Sequence, residues 1–134
     1  MLITKKLWEN NSELALLSLK TKFVQGIRNG NLPRNIFKDY VAQDYFFLDS
    51  FAKAYGLAIS KSKDKSEIKS LSQLLVGVSD ELILHETYAK EWEIDLSTNY
   101  IKPATKNYTD FLYDVSIKLS SVEIMFAMTP CMRL

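Results

Sequence analysis

The chain has 134 residues, 47% of them hydrophobic and 25% charged, with a formal net charge of +1. That is enough length to bury one core, and a balance that gives no reason to expect a nucleic-acid or anionic-membrane partner. The single cysteine, Cys131, excludes an internal disulfide framework and points to a reducing compartment.

The opening MLITKKLWENNSELALL puts Lys5 and Lys6 after an apolar start, but no signal-peptide core follows. No apolar run reaches membrane-spanning length, so a cytoplasmic location is expected. Four glycines and three prolines are sparse punctuation, and helical periodicity fills the stretches between them. About five helices are predicted. The first runs from near Leu7 or Ser12 to Ile27 and ends at RNGN, where Gly30 supplies a left-handed cap. Pro33 suits the first position of the second helix, which carries RNIFKDYVAQDYFFLDSFAKAYGLAIS. The lysine-rich SKSKDKSE (60–67) reads as a solvated loop.

The third helix opens at Asp64, with Glu67 placed for a capping box, and runs to about Trp92. Its apolar stripe is Leu71, Leu75, Val78, Leu82, His85, Ala89 and Trp92. The fourth spans Pro103 to near Leu119. The fifth opens at SSVE, with Ser120 and Glu123 as a second capping box. It is apolar all round from Ile124 to Met128, which predicts a central position. The sum is an all-α bundle.

Four polar side chains fall on apolar faces. Asp44 sits in the middle of the Phe37–Tyr40–Val41–Leu48–Phe51–Tyr55 face, whereas Asp39 and Asp49 rotate toward solvent. A buried carboxylate must be satisfied or shift its pKa, so Asp44 either ties two helices together or lines an aromatic-walled pocket. Tyr108 shares a face with Phe111, Leu112, Val115 and Leu119, as a core tyrosine or a ligand contact. His85, the only histidine, reads as a satisfied core residue bonded to Glu81. With no Glu-x-x-His pair in the chain, a carboxylate-bundle metal site is not expected. Cys131 follows Pro130, which removes a helical N–H and leaves the Phe126 carbonyl without its donor. Its thiol is either core packing or a nucleophile.

Four stretches in order, FVQGIRNGNLPRNIFKDYVAQDYFFL, ELILHETYAKEW, KPATKNYTDFLYDVS and EIMFAMTPCMRL, resemble the TenA (thiaminase II, aminopyrimidine aminohydrolase) family, as does the spacing from Tyr108 to Cys131. The resemblance implies a heme-oxygenase-like all-α fold and a single domain over 1–134. It implies hydrolysis at the exocyclic methylene of a 4-aminopyrimidine, releasing ammonia from an aminomethylpyrimidine or the thiazole from thiamin. Carried over, Cys131 is the nucleophile that adds to the ring and Asp44 bonds the substrate and helps hold the thiol inside the pocket. Tyr108 bonds the pyrimidine. Phe47 falls on the pocket wall, where the family often has tyrosine. No cofactor and no metal are implied, the partner is a small aminopyrimidine or thiamin, and the assembly is a homotetramer. Thr21 and Lys22 stand where the family commonly has His-Pro. Further family helices, with a glutamate acid and more tyrosines, would lie beyond Leu134, so the domain is read as truncated. The rival readings are a truncated helical module that binds an aminopyrimidine or oligomerises without turnover, and a metal-dependent oxidase on the same scaffold.

Overall fold

The computed structural model describes residues 3–96 and 100–133. Met1 and Leu2, at the head of the stretch read for a signal peptide, and Leu134, from which the truncation is read, lie outside the described residues. Six α-helices follow in order: α1 (Ile3–Leu19), α2 (Lys22–Arg28), α3 (Arg34–Lys61), α4 (Lys65–Glu91), α5 (Pro103–Lys118) and α6 (Ser121–Arg133). No strand occurs among the described residues. Residues to Phe37 form one compact unit, and those from Lys38 to Arg133 form another.

In the first unit the single helix expected to reach Ile27 is two. Thr21 breaks it: its backbone is extended and its Oγ1 accepts from Val24 N at 3.3 Å, which caps α2. The same hydroxyl donates to Ser18 O at 2.8 Å, closing α1. The Thr-Lys pair thus starts a new helix where periodicity alone suggested continuation. α2 ends as expected, with Gly30 at φ +67°. The N–H groups of Asn31 and Leu32 both donate to Gly26 O. This fold-back brings Leu32 so close that a Cβ on Gly26 would lie 2.9 Å from its Cδ1. Pro33 precedes α3 rather than opening it, and its carbonyl accepts from Ile36 and Phe37.

The second unit is built on α3. Leu48, Phe51, Ala54, Tyr55 and Ala58 form one buried stripe, joined in the core by Leu71 and Val78 of α4, Leu112 of α5, and Ile124 and Met128 of α6. Each fully buried aliphatic side chain contributes roughly 1.5–3 kcal/mol. Polar side chains of α3 fix both ends of α5. Gln43 accepts from Lys102 N at 2.8 Å and donates to Tyr100 O at 2.9 Å. Lys61 donates to the carbonyls of Ser116, Ile117 and Leu119 at 2.6, 2.9 and 2.6 Å. The segment read as a loop is therefore mostly helix ends, with only 62–64 outside them, and its first lysine is engaged rather than solvated.

α4 starts where expected, with Asp64 accepting from Ser66 N at 2.8 Å. At α6, Glu123 accepts from Ser120 N at 2.9 Å, half of the expected capping box. One expectation for α6 fails. It is not buried all round: Ile124 and Met128 face the core, while Val122 and Phe126 are 56% and 45% exposed. α6 packs through one stripe, and no described element of its unit covers the other side. Among the described residues, no helix is long and apolar enough to cross a membrane.

Candidate active site

The helical period places Tyr40, Asp44, Phe47 and Phe51 along one side of α3, at steps of four and three. Asp44 points inward as expected, with 21% of its side chain exposed. Asp39 pairs with Lys102, and Asp49 pairs with Lys53 at 2.6 Å, nearer solvent. The Asp44 carboxylate has two partners. Tyr40 bonds it from one turn earlier. His85 Nε2, from α4, lies 3.1 Å from its Oδ2. His85 thus meets Asp44 across helices rather than Glu81, because α4 turns its apolar stripe, and the imidazole on it, toward α3. Its Nδ1 is buried and has no hydrogen-bond partner among the described residues.

Burial pushes the Asp44 carboxyl above its ordinary range. The neighbouring His85 opposes this, the Glu81 charge adds to it, and the Tyr40 bond opposes it. Tyr40 is pushed up to about 12, first by burial, then by the neighbouring Asp44 charge and the bond to it.

Cys131 and Tyr108 meet across α5 and α6. The thiol approaches the Tyr108 hydroxyl at 3.6 Å, and that hydroxyl donates to Ala127 O at 3.0 Å. Phe47 stacks on Tyr108, with ring centroids 5.8 Å apart and planes 21° apart. Phe51 lies 4.3 Å from Phe47, centroid to centroid. Three helices therefore bring Phe47, Tyr108 and Cys131 together, and Asp44 is near enough for its charge to act on the thiol. The thiol pKa is raised by partial burial. The Tyr108 bond lowers it, and the Asp44 charge raises it further. Burial, with the Cys131 contact, raises Tyr108 as well.

The thiol is not enclosed in the bundle interior as the resemblance implied. Cys131 is exposed as a whole residue and stands on the wall of an open cleft of about 400 Å³. The uncovered side of α6 accounts for this. The other walls are Phe47, Leu48, Phe51 and Tyr55 from α3, and Gln73, Leu74, Gly77, Val78 and Glu81 from α4. Asp44 and Tyr108 do not line the cleft. A second depression, about 300 Å³, lies between α3 and α5 on Ser50, Lys53, Thr109, Asp110 and Ser116, and holds none of the expected residues. The thiol and the aromatic stack assign the candidate site to the first cleft.

Sequence reading missed Tyr40 and His85 as partners of Asp44, and Glu81 and Gln73 as cleft residues. Tyr40 was within reach, since it lies four residues before Asp44 and side chains at that spacing are neighbours. The His85 contact joins two helices and leaves no local trace. Among the described residues, no three His, Cys, Asp or Glu side chains gather as a metal-binding group.

Several known proteins are similar to this chain. The Arabidopsis thaliana bifunctional TH2 protein, mitochondrial, is 31% identical over 96% of this chain and 24% of its own length. An aminopyrimidine aminohydrolase of Halalkalibacterium halodurans is 33% identical over 81% of this chain and 50% of its own. The chain thus spans half or less of the length of these two relatives. The crystal structure of a TenA family transcription regulator from Silicibacter sp. TM1040 superposes with a TM-score of 0.78 at 29% identity, covering 82% of this chain and 51% of that one. This agrees with the heme-oxygenase-like helical fold. The sequence pattern of the TENA/THI-4/PQQC family matches residues 18–133. With that match spanning all four helices that build the site, the chain belongs to the TENA/THI-4/PQQC family.

Proposed function

We propose that this protein is an aminopyrimidine hydrolase of thiamin metabolism, of the thiaminase II type. It cleaves the exocyclic methylene C–N bond of an aminomethylpyrimidine, or of thiamin, with Cys131 as nucleophile. The observation that carries the reading is an apolar cleft walled by the Cys131 thiol and the Phe47 ring, with Tyr108 behind them in contact with both. Aromatic walls with few polar groups suit a flat heteroaromatic ring. The names of the similar hydrolases support the substrate class.

In this reading the pyrimidine stacks at the Phe47–Phe51 wall, and Asp44 accepts from its amino group. The Cys131 thiolate adds to the ring, and the ring nitrogen takes up a proton. The amine leaves the methylene with its own proton, water adds there, and the thiolate is expelled as the ring proton departs. For an aminomethylpyrimidine the net change is one water consumed and one ammonia released; for thiamin the thiazole leaves in place of ammonia. A proton donor to the ring is expected from the glutamate that the family resemblance implies. Phe47 contributes a stacking face and no hydroxyl. The same resemblance carries a cytoplasmic homotetramer that works without a cofactor.

Electrostatics give the order of events. The Asp44 charge disfavours the thiolate in the free protein. A substrate amino group bonded to Asp44 offsets that charge, so nucleophile formation follows binding. Release of hydroxymethylpyrimidine from aminomethylpyrimidine tests the role of the thiol in the intact protein. Cys131→Ser should lower turnover by about 10²-fold or more, as loss of a positioned nucleophile does. Near-normal turnover in the serine variant would reduce the thiol to core packing.

A further inference from the structure

His85 is a buried titratable side chain to which the hydrolytic reading gives no task. It is 9% exposed, its Nε2 faces Asp44 Oδ2 at 3.1 Å, and its Nδ1 is buried without a hydrogen-bond partner among the described residues. An ionised carboxylate only accepts, so the facing nitrogen must carry the proton of that bond. The other nitrogen is then either a bare lone pair or a second N–H. Buried and unpaired, an N–H on an imidazolium forfeits more hydration than a bare lone pair on a neutral ring.

We propose that His85 is a positioning residue of the candidate site: a neutral imidazole, protonated at Nε2, whose bond to Asp44 fixes the carboxylate in its anionic, substrate-accepting orientation. Tyr40, from α3, holds the same carboxylate from a second direction. With two donors supplied by the protein, Asp44 keeps a lone pair on a fixed heading instead of rotating among rotamers. The charged and titratable groups around it come from three helices: Tyr40 on α3, His85 and Glu81 on α4, and the Cys131 thiol on α6. Of these, Tyr40 favours the ionised acid through its bond and Glu81 opposes it; a neutral His85 with its Nε2–H 3.1 Å from the carboxylate favours the ionised acid as Tyr40 does, by donating to it. Removing the imidazole leaves Tyr40 alone against burial and Glu81, and the carboxyl then holds its proton to higher pH.

The role in orienting substrate rests on the aminopyrimidine reading, but the protonation of His85 does not, and the experiment separates them. The imidazole nitrogens of His85 in the ¹⁵N-labelled, untagged protein are assigned as the pair of signals that is missing from His85→Gln. At neutral pH a pyrrole-type shift at Nε2 and a pyridine-type shift at Nδ1 are expected. A proton on Nδ1, alone or in an imidazolium, overturns the proposal. The second measurement is the pH profile of kcat/KM. His85→Leu should move the acid limb up by about half a pH unit or more, with KM rising. His85→Gln, which carries an N–H to roughly the Nε2 position, should restore the limb. An unmoved acid limb in a folded, active leucine variant overturns the positioning role. If leucine prevents folding, the glutamine profile and the nitrogen shifts decide. A protein with the expected nitrogen shifts and no turnover of any aminopyrimidine counts against the functional reading alone.

Discussion

Asp44 shows how one side chain can be shaped by opposing requirements. Burial makes its charge costly, while Tyr40 and His85 make that charge tolerable. Its folded pKa is raised, so the native state holds the proton at a higher pH than the unfolded chain. The sign follows: stability from this group is greatest below the unfolded pKa and falls as pH rises toward the folded one. Asp44→Asn removes that loss and keeps an oxygen to accept from His85 and Tyr40. The urea midpoint at neutral pH should hold or rise, while pyrimidine affinity should drop about tenfold to a hundredfold, as for loss of a hydrogen bond to a charged group. A helix-tying acid behaves in the opposite way. Breaking such a pair costs about 3–5 kcal/mol, so a large fall in midpoint with affinity intact in the folded fraction would take Asp44 out of the site. The inward aim of Asp44 was legible because its spacing from Tyr40 and Leu48 is local to one helix. The bond to His85 was not, because Glu81 lies one turn away on the same helix and Asp44 is on another.

At the level of the helices, boundaries were legible wherever a side chain signals them. Asp64, Gly30 and the Ser120–Glu123 pair stand at ends that the sequence marks. Thr21 was passed over because apolar periodicity runs through it. The end of α4 also lacks a glycine signal: Glu93 takes φ 55°, and Ile94 N donates to Ala89 O at 2.8 Å, closing a Schellman turn on a residue that pays about 1–2 kcal/mol to be there. The caps have a pH signature. Asp64 and Glu123 are held below the ordinary carboxylate range, chiefly by the backbone N–H groups of Ser66 and Ser120. A depressed folded pKa contributes stability above the unfolded pKa and loses it as pH falls through the folded one. Asp64→Ala should therefore lower the urea midpoint at neutral pH and flatten its decline on acidification. An unchanged acid slope would remove Asp64 from the pH response.

Across the whole molecule, the all-α class was legible from period alone, since long helical stripes leave little room for strands. The burial of α6 was not, because an all-round apolar helix shows what could be covered and not what covers it. Val122 and Phe126 stay exposed, and Cys131 with them. The Lys61 amine, by contrast, is spent on three carbonyls at the end of α5, held by a side chain from α3. An ammonium so occupied is a poor target for an acylating reagent, which needs the free lone pair. In competitive amine labelling read by mass spectrometry, Lys61 should lag well behind exposed lysines such as Lys53 and Lys118. It should react only in molecules whose second unit has opened, so its labelling rate becomes a clock for that opening, and adding urea below the midpoint should speed Lys61 while leaving the surface lysines almost unchanged. Labelling of Lys61 as fast as its exposed neighbours in buffer would mean that the clamp is not closed in solution.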